Sequence, residues 1–524
     1  MHVRQAPHET RKGVHVDAAN EQDEPRVLPL PVGIAATGTR TERDSLGTVE
    51  VPAGHYWGAQ TQRSLTYFNI GSDVLPAGVY HAYGFVKKAA ATVNGRRGRL
   101  PAWKARLIGQ VAGEVIAGAL DSEFPVHVWQ TGSGTQSNMN VNEVIANRAI
   151  QLVGGKLGSK DPVHPNDDVN AAQSTNDTFP SVMHIAAVRV LVADVLPAVT
   201  RLRDAAERKS GEWARVVKIG RTHLQDATPL TVGQEWSGYV GQLEDAADTV
   251  RAALPGLRRL AIGGTAVGTG LNSPPGFGEE VAAEISELTG EEFVSAPNKF
   301  AAMASLDALV RASAALRSVA VALYKFANDM RWLGSGPRTG LGELVLPSNE
   351  PGSSIMPGKV NPTQAEAMLM VCLQVMGNDS VVALAGAEGN FELNAFRPVA
   401  IANFLHSARI LADTCDCFRD YLVEGAQLNL PRLAENVARS VMMVTALSPV
   451  IGYDKASAIA HRAVAEDLTL RDAALASGVS AELYDEVVVP ERLTRPGAAG
   501  DGPDPGSGAG PGDGAPRDGP AGRG

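Results

Sequence analysis

One loop carries residues that could hold an anion and move a proton beside it. In Pro351-Gly-Ser-Ser-Ile-Met-Pro-Gly-Lys-Val-Asn-Pro362, two hydroxyls, Ser353 and Ser354, precede a single cation, Lys359, and the amide of Asn361. Pro351 and Pro357 stiffen the backbone, while Gly352 and Gly358 let it turn. Asn361 followed by Pro362 reads as a helix N-cap and first helical position. A Gly/Pro turn with a solvated lysine has the same composition. What separates the two readings is the company of further uncharged polar stretches.

Trp129-Gln-Thr-Gly-Ser-Gly-Thr-Gln-Ser-Asn-Met-Asn140 offers hydroxyls and amides without charge ahead of a helix, whose free N–H groups and dipole favour an anion. Ser174, Thr175 and Asn176 form a second such cluster, with helix capping as the competing role for Ser174 or Asn176. His164, Pro165, Asn166 and Asp167 form a separate polar knot; a histidine and an aspartate without a third ligand do not make a metal site. Gly220-Arg-Thr-His-Leu-Gln-Asp226 supplies His223, a group that titrates near neutral pH. Glu366 follows Lys359 at the start of the next helix, and a carboxylate beside His223 would orient the ring. The set holds no nucleotide fingerprint and no phosphate loop. It suits a small anionic substrate handled by proton transfer, with Lys359 and Asn361 stabilising the extra charge that develops on a carboxylate.

These residues need long elements to position them. The 524 residues, 44% hydrophobic and 20% charged, give ample material for a large core. A net charge of −10 without a basic face excludes nucleic acid as the expected partner. No apolar run reads as long enough to span a bilayer, and the N-terminus lacks a signal-peptide core, so the expectation is a cytoplasmic protein without membrane contact. Three cysteines, Cys372, Cys415 and Cys417, make neither a disulfide framework nor a metal-binding pair. Helical periodicity marks residues 74–97, 103–120, 140–153, 180–213 with a kink at Pro197, 231–253 closed by Pro255, 300–332, 362–385 and 398–424. Short strands are expected near 48–51 and 216–219. Rods of about 30 residues are about 45 Å long and need neighbours of equal length. The chain is therefore read as mainly α, with a long central helical bundle shared between subunits. Residues 1–38 and 496–524 are read as disordered extensions, the latter with 11 glycines and 6 prolines.

The loop Gly352-Ser-Ser-Ile-Met-Pro-Gly-Lys-Val-Asn361 resembles the signature of the aspartase/fumarase superfamily, and the wider chain, over about residues 40–495, resembles the class II, iron-independent fumarases. Tyr56-Trp-Gly-Ala-Gln-Thr-Gln-Arg63, the polar stretches above, Gly264-Thr-Ala-Val-Gly-Thr-Gly-Leu-Asn272 and Gly389-Asn-Phe-Glu-Leu-Asn394 carry the same resemblance in order. It implies a three-domain fold (39–172, 173–428 and 429–495) and a homotetramer whose sites each gather loops from three chains. It implies reversible hydration of fumarate to (S)-malate without cofactor or metal. Ser353 would be the base, Lys359 and Asn361 would hold the aci-carboxylate, and His223 with Glu366 would handle the water. Ser133, Gly134, Thr135, Ser174, Thr175, Asn176, Thr222, Ser354 and Val360 would join Lys359 and Asn361 in binding the dicarboxylate. His164, Pro165, Asn166 and Asp167 match the family's second dicarboxylate site. Thr175 stands where fumarases commonly carry serine. Aspartate ammonia-lyase shares fold and loop, but aspartases tend to have glutamine where His223 follows Thr222. A non-catalytic helical scaffold is the rival from another class; a silent scaffold has no need of Ser353, Lys359, Asn361, His223 and Glu366 together.

Overall fold

The computed structural model describes residues 24–497. The remaining parts of the two expected extensions lie outside the described residues. In chain order the elements are β1 (Thr39–Asp44), β2 (Gly47–Pro52), α1 (Ala59–Tyr67), α2 (Ala77–Arg96), α3 (Ala102–Ile116), α4 (Thr135–Leu152), α5 (Thr175–Val190), α6 (Leu196–Glu212), β3 (Val217–Thr222), β4 (Gln225–Thr231) and α7 (Val232–Leu257). There follow α8 (Phe277–Thr289), α9 (Lys299–Ala304), α10 (Asp307–Leu333), α11 (Thr363–Ala387), α12 (Arg397–Phe418) and the short helices α13 (Leu430–Arg439), α14 (Ser448–Ile451), α15 (Tyr453–Ala465), α16 (Leu470–Ala476) and α17 (Ala481–Val487). The fold is mainly α, as expected. The described residues divide into two compact units, 24–203, 242–328 and 363–421 in one and 204–241, 329–362 and 422–497 in the other.

In the first unit α2 packs along α3, α5 and α8, and α11 lies along α12. The antiparallel hairpin β1–β2 pairs Thr39 with Pro52 through Asp44 with Gly47. Buried Glu143 on α4 satisfies the start of α1, accepting from the backbone N–H groups of Gly58, Gln60 and Thr61 at 2.9, 2.8 and 3.1 Å. Free donors at a helix start need such acceptors. Residues 28–33 correct the expected extent of the N-terminal extension. Arg148 donates to the carbonyls of Leu30 and Pro31, and Tyr56 Oη to that of Gly33. A segment without periodicity is held by side-chain donors from α4 and the residues before α1.

Several helix boundaries also move. α5 starts at Thr175, five residues ahead of Pro180, because Ser174 and Asp177 form a capping box; Pro180 forgoes one backbone bond inside the helix. The irregularity expected at Pro197 takes the form of a π-helical turn, Leu191–Val195, just before it. α7 runs past Pro255 to Leu257. The expected helix 300–332 is two helices, broken at Ser305 and Leu306; buried Arg397 donates to the Met303 carbonyl where α9 ends. Cys415 and Cys417 face opposite ways as their spacing requires, one buried and one exposed.

The expectation about apolar runs needs correcting. As continuous helices, Thr175–Glu212 and Thr363–Ala387 are long and apolar enough to cross a membrane, each holding an 18-residue stretch of mean hydropathy 1.9 and 1.6 respectively. Polar residues such as His184 and Asp194 interrupt the first run in sequence without interrupting the helix. Its apolar stretch is 56% buried, which suits a core helix.

In the second unit, β3 and β4 form an antiparallel hairpin from Val217 opposite Thr231 to Thr222 opposite Gln225. β4 was not legible in sequence, since Gln225-Asp-Ala-Thr-Pro-Leu-Thr231 lacks alternation and contains Pro229. Met443, Leu447, Ile459, Ala463, Leu470 and Tyr484 form a core of their own among the short C-terminal helices.

Candidate active site

In the first unit the polar stretches meet at two helix starts. Gly134 precedes α4 at φ +82°, and a Cβ there would lie 2.2 Å from the Phe179 ring, so only glycine lets the turn pack. Ser133 Oγ lies 2.9 Å from Thr135 Oγ1 and 3.4 Å from Thr131 Oγ1, a row of hydroxyls at the positive end of the helix. α4 begins at Thr135, so Gln136–Asn140 are its first turns and not loop as expected. Among their polar side chains, Ser137 Oγ donates to Gln130 Oε1 at 2.9 Å and Asn140 Nδ2 to the Glu123 carbonyl at 3.0 Å, while Asn140 Oδ1 is buried without a partner.

At the start of α5, Ser174 Oγ accepts from Asn176 N at 3.2 Å, and Ser174 N donates to Asp177 Oδ1 at 3.0 Å. Ser174 is therefore a cap, whatever else it binds. Asp177 Oδ2 accepts from Gly263 N and Thr265 N at 3.0 and 2.8 Å, and Asn176 Nδ2 donates to the Ala266 carbonyl at 2.8 Å. These bonds seat the start of the Gly264–Asn272 motif against α5. Burial pushes the Asp177 carboxyl up to about 6, against the pull of the backbone N–H groups around it. Thr175 Oγ1 accepts from Asn138 Nδ2 at 3.0 Å, joining the two polar stretches directly.

The His164 knot is a self-contained turn at the start of a π-helical segment, Pro165–Val169. His164 Nδ1 accepts from Asn166 N and Asp167 N, both at 3.1 Å, which leaves its proton on Nε2. Asp168 holds the turn through His164 N at 2.7 Å and Lys104 Nζ at 2.9 Å. Glu366 is exposed in the first turn of α11.

In the second unit, His223 and Leu224 are the two central residues of the β3–β4 turn, at φ +57° and +60°. Positive φ at both positions is the geometry a two-residue hairpin requires. It presents the His223 ring at an exposed tip beside Thr222. The β3 strand of the hairpin is anchored by charge. Lys218 Nζ lies 2.7 Å from Glu235 Oε1 and 2.9 Å from Glu343 Oε2, and Arg221 Nη2 lies 2.5 Å from Glu343 Oε1.

The 351–362 loop closes on itself. A Cβ on Gly352 would lie 1.8 Å from the Lys359 carbonyl, and Asn361 Nδ2 donates to the Gly352 carbonyl at 2.6 Å. The side chain of Asn361 thus clasps the loop, where N-capping was expected, and α11 begins at Thr363. Ser353 Oγ accepts from Ile355 N and Met356 N at 3.3 and 3.0 Å. Those donors are what a serine base needs to carry charge. Ser354, Lys359 and Val360 are exposed on the same loop.

Lys87 escaped the sequence reading. It is fully buried on α2, with Nζ 2.8 Å from Asn138 Oδ1, 3.0 Å from Asn170 Oδ1 and 3.1 Å from Gln173 Oε1. Burial pushes its ammonium down to about 7, with Asp177 opposing. The available signal was spacing: Tyr80, Tyr83, Lys87 and Asn94 recur on one helical face with apolar neighbours.

Uncharged donors at two helix starts in one unit, and a serine in a backbone N–H nest and a histidine at a hairpin tip in the other, are the features expected of a lyase of the aspartase/fumarase type. Known proteins agree. A family described as lyase matches residues 47–377, and one described as fumarase C C-terminus matches residues 443–495. Class II fumarate hydratase of Methanosarcina acetivorans is 67% identical over 90% of this chain and 97% of its own, and that of Ralstonia nicotianae is 58% identical over 87% and 99%. The crystal structure of class II fumarase from Schistosoma mansoni superposes with a TM-score of 0.86 at 44% identity, covering 88% of this chain and all of that one. The chain belongs to the class II fumarase family.

Proposed function

We propose that the protein catalyses the reversible hydration of fumarate to (S)-malate, as its relatives' names describe. In the dehydration direction Ser353 takes a proton from C3 of malate, and the freed electron pair moves into the adjacent carboxylate as an aci-carboxylate. Lys359 and Asn361 stabilise that charge. The C2–O bond then breaks, and the hydroxyl leaves as water with a proton delivered through His223, whose ring Glu366 orients. Hydration runs the same steps in reverse. Ser133, Gly134, Thr135, Ser174, Thr175, Asn176, Thr222, Ser354 and Val360 complete the dicarboxylate site. The observation that carries the roles is the Ser353 oxygen receiving two backbone N–H groups inside a loop clasped by Asn361.

The protein acts as a homotetramer in the cytoplasm, with sites assembled from several copies. α11 supports this assembly: its apolar residues are not confined to one buried face, and Met370, Leu373 and Leu384 are 65, 58 and 71% exposed. His164, Pro165, Asn166 and Asp167 form a second dicarboxylate site away from the chemistry. The test is ultraviolet absorbance of fumarate's conjugated double bond, with and without ammonium. A fall without ammonium supports hydration. A fall only with ammonium would make the protein an aspartase, which the histidine at 223 argues against.

A further inference from the structure

Lys87 sits outside the chemistry, yet its contacts reach a proposed binding hydroxyl in two steps. An ammonium has three donors and no acceptor, so every group facing it must present oxygen. Asn138, Asn170 and Gln173 do so, and they use all three donors. With its oxygen committed to Lys87, Asn138 must turn its NH2 the other way. That group donates to Thr175 Oγ1 at 3.0 Å and to Asn170 Oδ1 at 3.2 Å. A hydroxyl that accepts on one side keeps its own proton to donate on another. Asn170 Oδ1 receives a further bond from Asn142 Nδ2 at 3.3 Å, so the cluster is cross-braced from α4.

We propose that Lys87 is a positioning residue for substrate binding: by holding the oxygens of Asn138, Asn170 and Gln173 it aims the Asn138 NH2 at Thr175 and leaves the Thr175 proton free for a substrate carboxylate. A buried cation that only braced the core would be replaceable by a methionine of similar length with no effect on substrate affinity. A relay through Asn138 makes two different demands. Loss of Lys87 should act on ground-state binding, and it should act through Thr175.

The inference rests on the fumarase reading, and the wild-type protein tests that separately by interconverting malate and fumarate. Given an active wild type, Lys87→Met should raise KM for malate about tenfold, the worth of one hydrogen bond to a charged group, while kcat stays within about threefold. In the double variant with Thr175→Val, KM should be no higher than in Thr175→Val alone, because both changes remove one interaction. Multiplying effects, or an unchanged KM in Lys87→Met, overturns the proposal. Should Lys87→Met fail to fold, Asn138→Asp decides. It keeps an oxygen on Lys87 but has no NH2, so Thr175 must donate inward; KM should rise, and wild-type KM in that variant would overturn the relay.

Discussion

His223 occupies a backbone region that most side chains avoid, at φ +57°. Such residues cost about 1–3 kcal/mol each and cluster where geometry serves function. The strain makes the choice of variant matter. Asparagine adopts the left-handed region readily, so His223→Asn should preserve the hairpin and remove only the titrating ring. It is expected to lower kcat by about 10²–10⁴-fold with an unchanged melting temperature, the range for a positioned acid or base. Near-native turnover would remove His223 from proton transfer. Lys359→Met is expected to lower kcat/KM by at least about 10²-fold, since charge stabilisation in transition state and substrate binding fall together; native steady-state constants would contradict that role. At this scale the sequence was informative about chemistry and poor about neighbours. Ser353, Lys359 and Asn361 stand within nine positions, so one loop shows them together. Lys87 meets Asn170 and Gln173 only through folding, and no local spacing announces that contact.

The β3–β4 hairpin that presents His223 is held along β3 by a buried charge cluster. Glu343 and Lys218 are each 2% exposed, with Arg221 on the other carboxylate oxygen. Removing one partner of a buried pair strands the other, so Glu343→Ala should destabilise the protein by about 3–5 kcal/mol in chemical denaturation. A loss below about 1 kcal/mol would show that the cluster behaves like surface ion pairs. The cluster also predicts a pH response. Burial raises the Glu343 carboxyl, but the hydrogen bond from Arg221 and the charge of Lys218 more than offset it, leaving it below the ordinary value of 4.5. The folded value lies below the unfolded one, so the unfolded chain binds the proton first on acidification. Stability from Glu343 is full above about pH 4.5 and is lost as pH falls through the folded value. Melting temperatures of wild type and Glu343→Gln should therefore converge on acidification; a constant gap would contradict the linkage. Long helices were legible from periodicity alone, α2 and α11 among them. Their ends were not, because the decisive groups are remote: Asp177 helps set the start of α5, Arg397 takes a carbonyl at the end of α9, and Arg148 pins residues 30 and 31.

At the scale of the whole molecule, α11 leaves apolar side chains uncovered within one chain, and the proposed tetramer covers them. Leu373→Glu, placed on a residue 58% exposed, should shift the mass in light scattering to smaller species and abolish activity together, because burying an unpaired carboxylate is costly. A fully active tetramer in that variant would move the interface elsewhere. The proposed reaction adds water across fumarate with Ser353 Oγ exchanging the proton at C3. Proton NMR of fumarate incubated with the protein in deuterated, ammonium-free buffer tests it most directly. The expected product is (S)-malate carrying one deuterium at C3 in the single diastereomer of anti addition. A mixture of diastereomers, or no malate at all from a properly assembled protein, would contradict it.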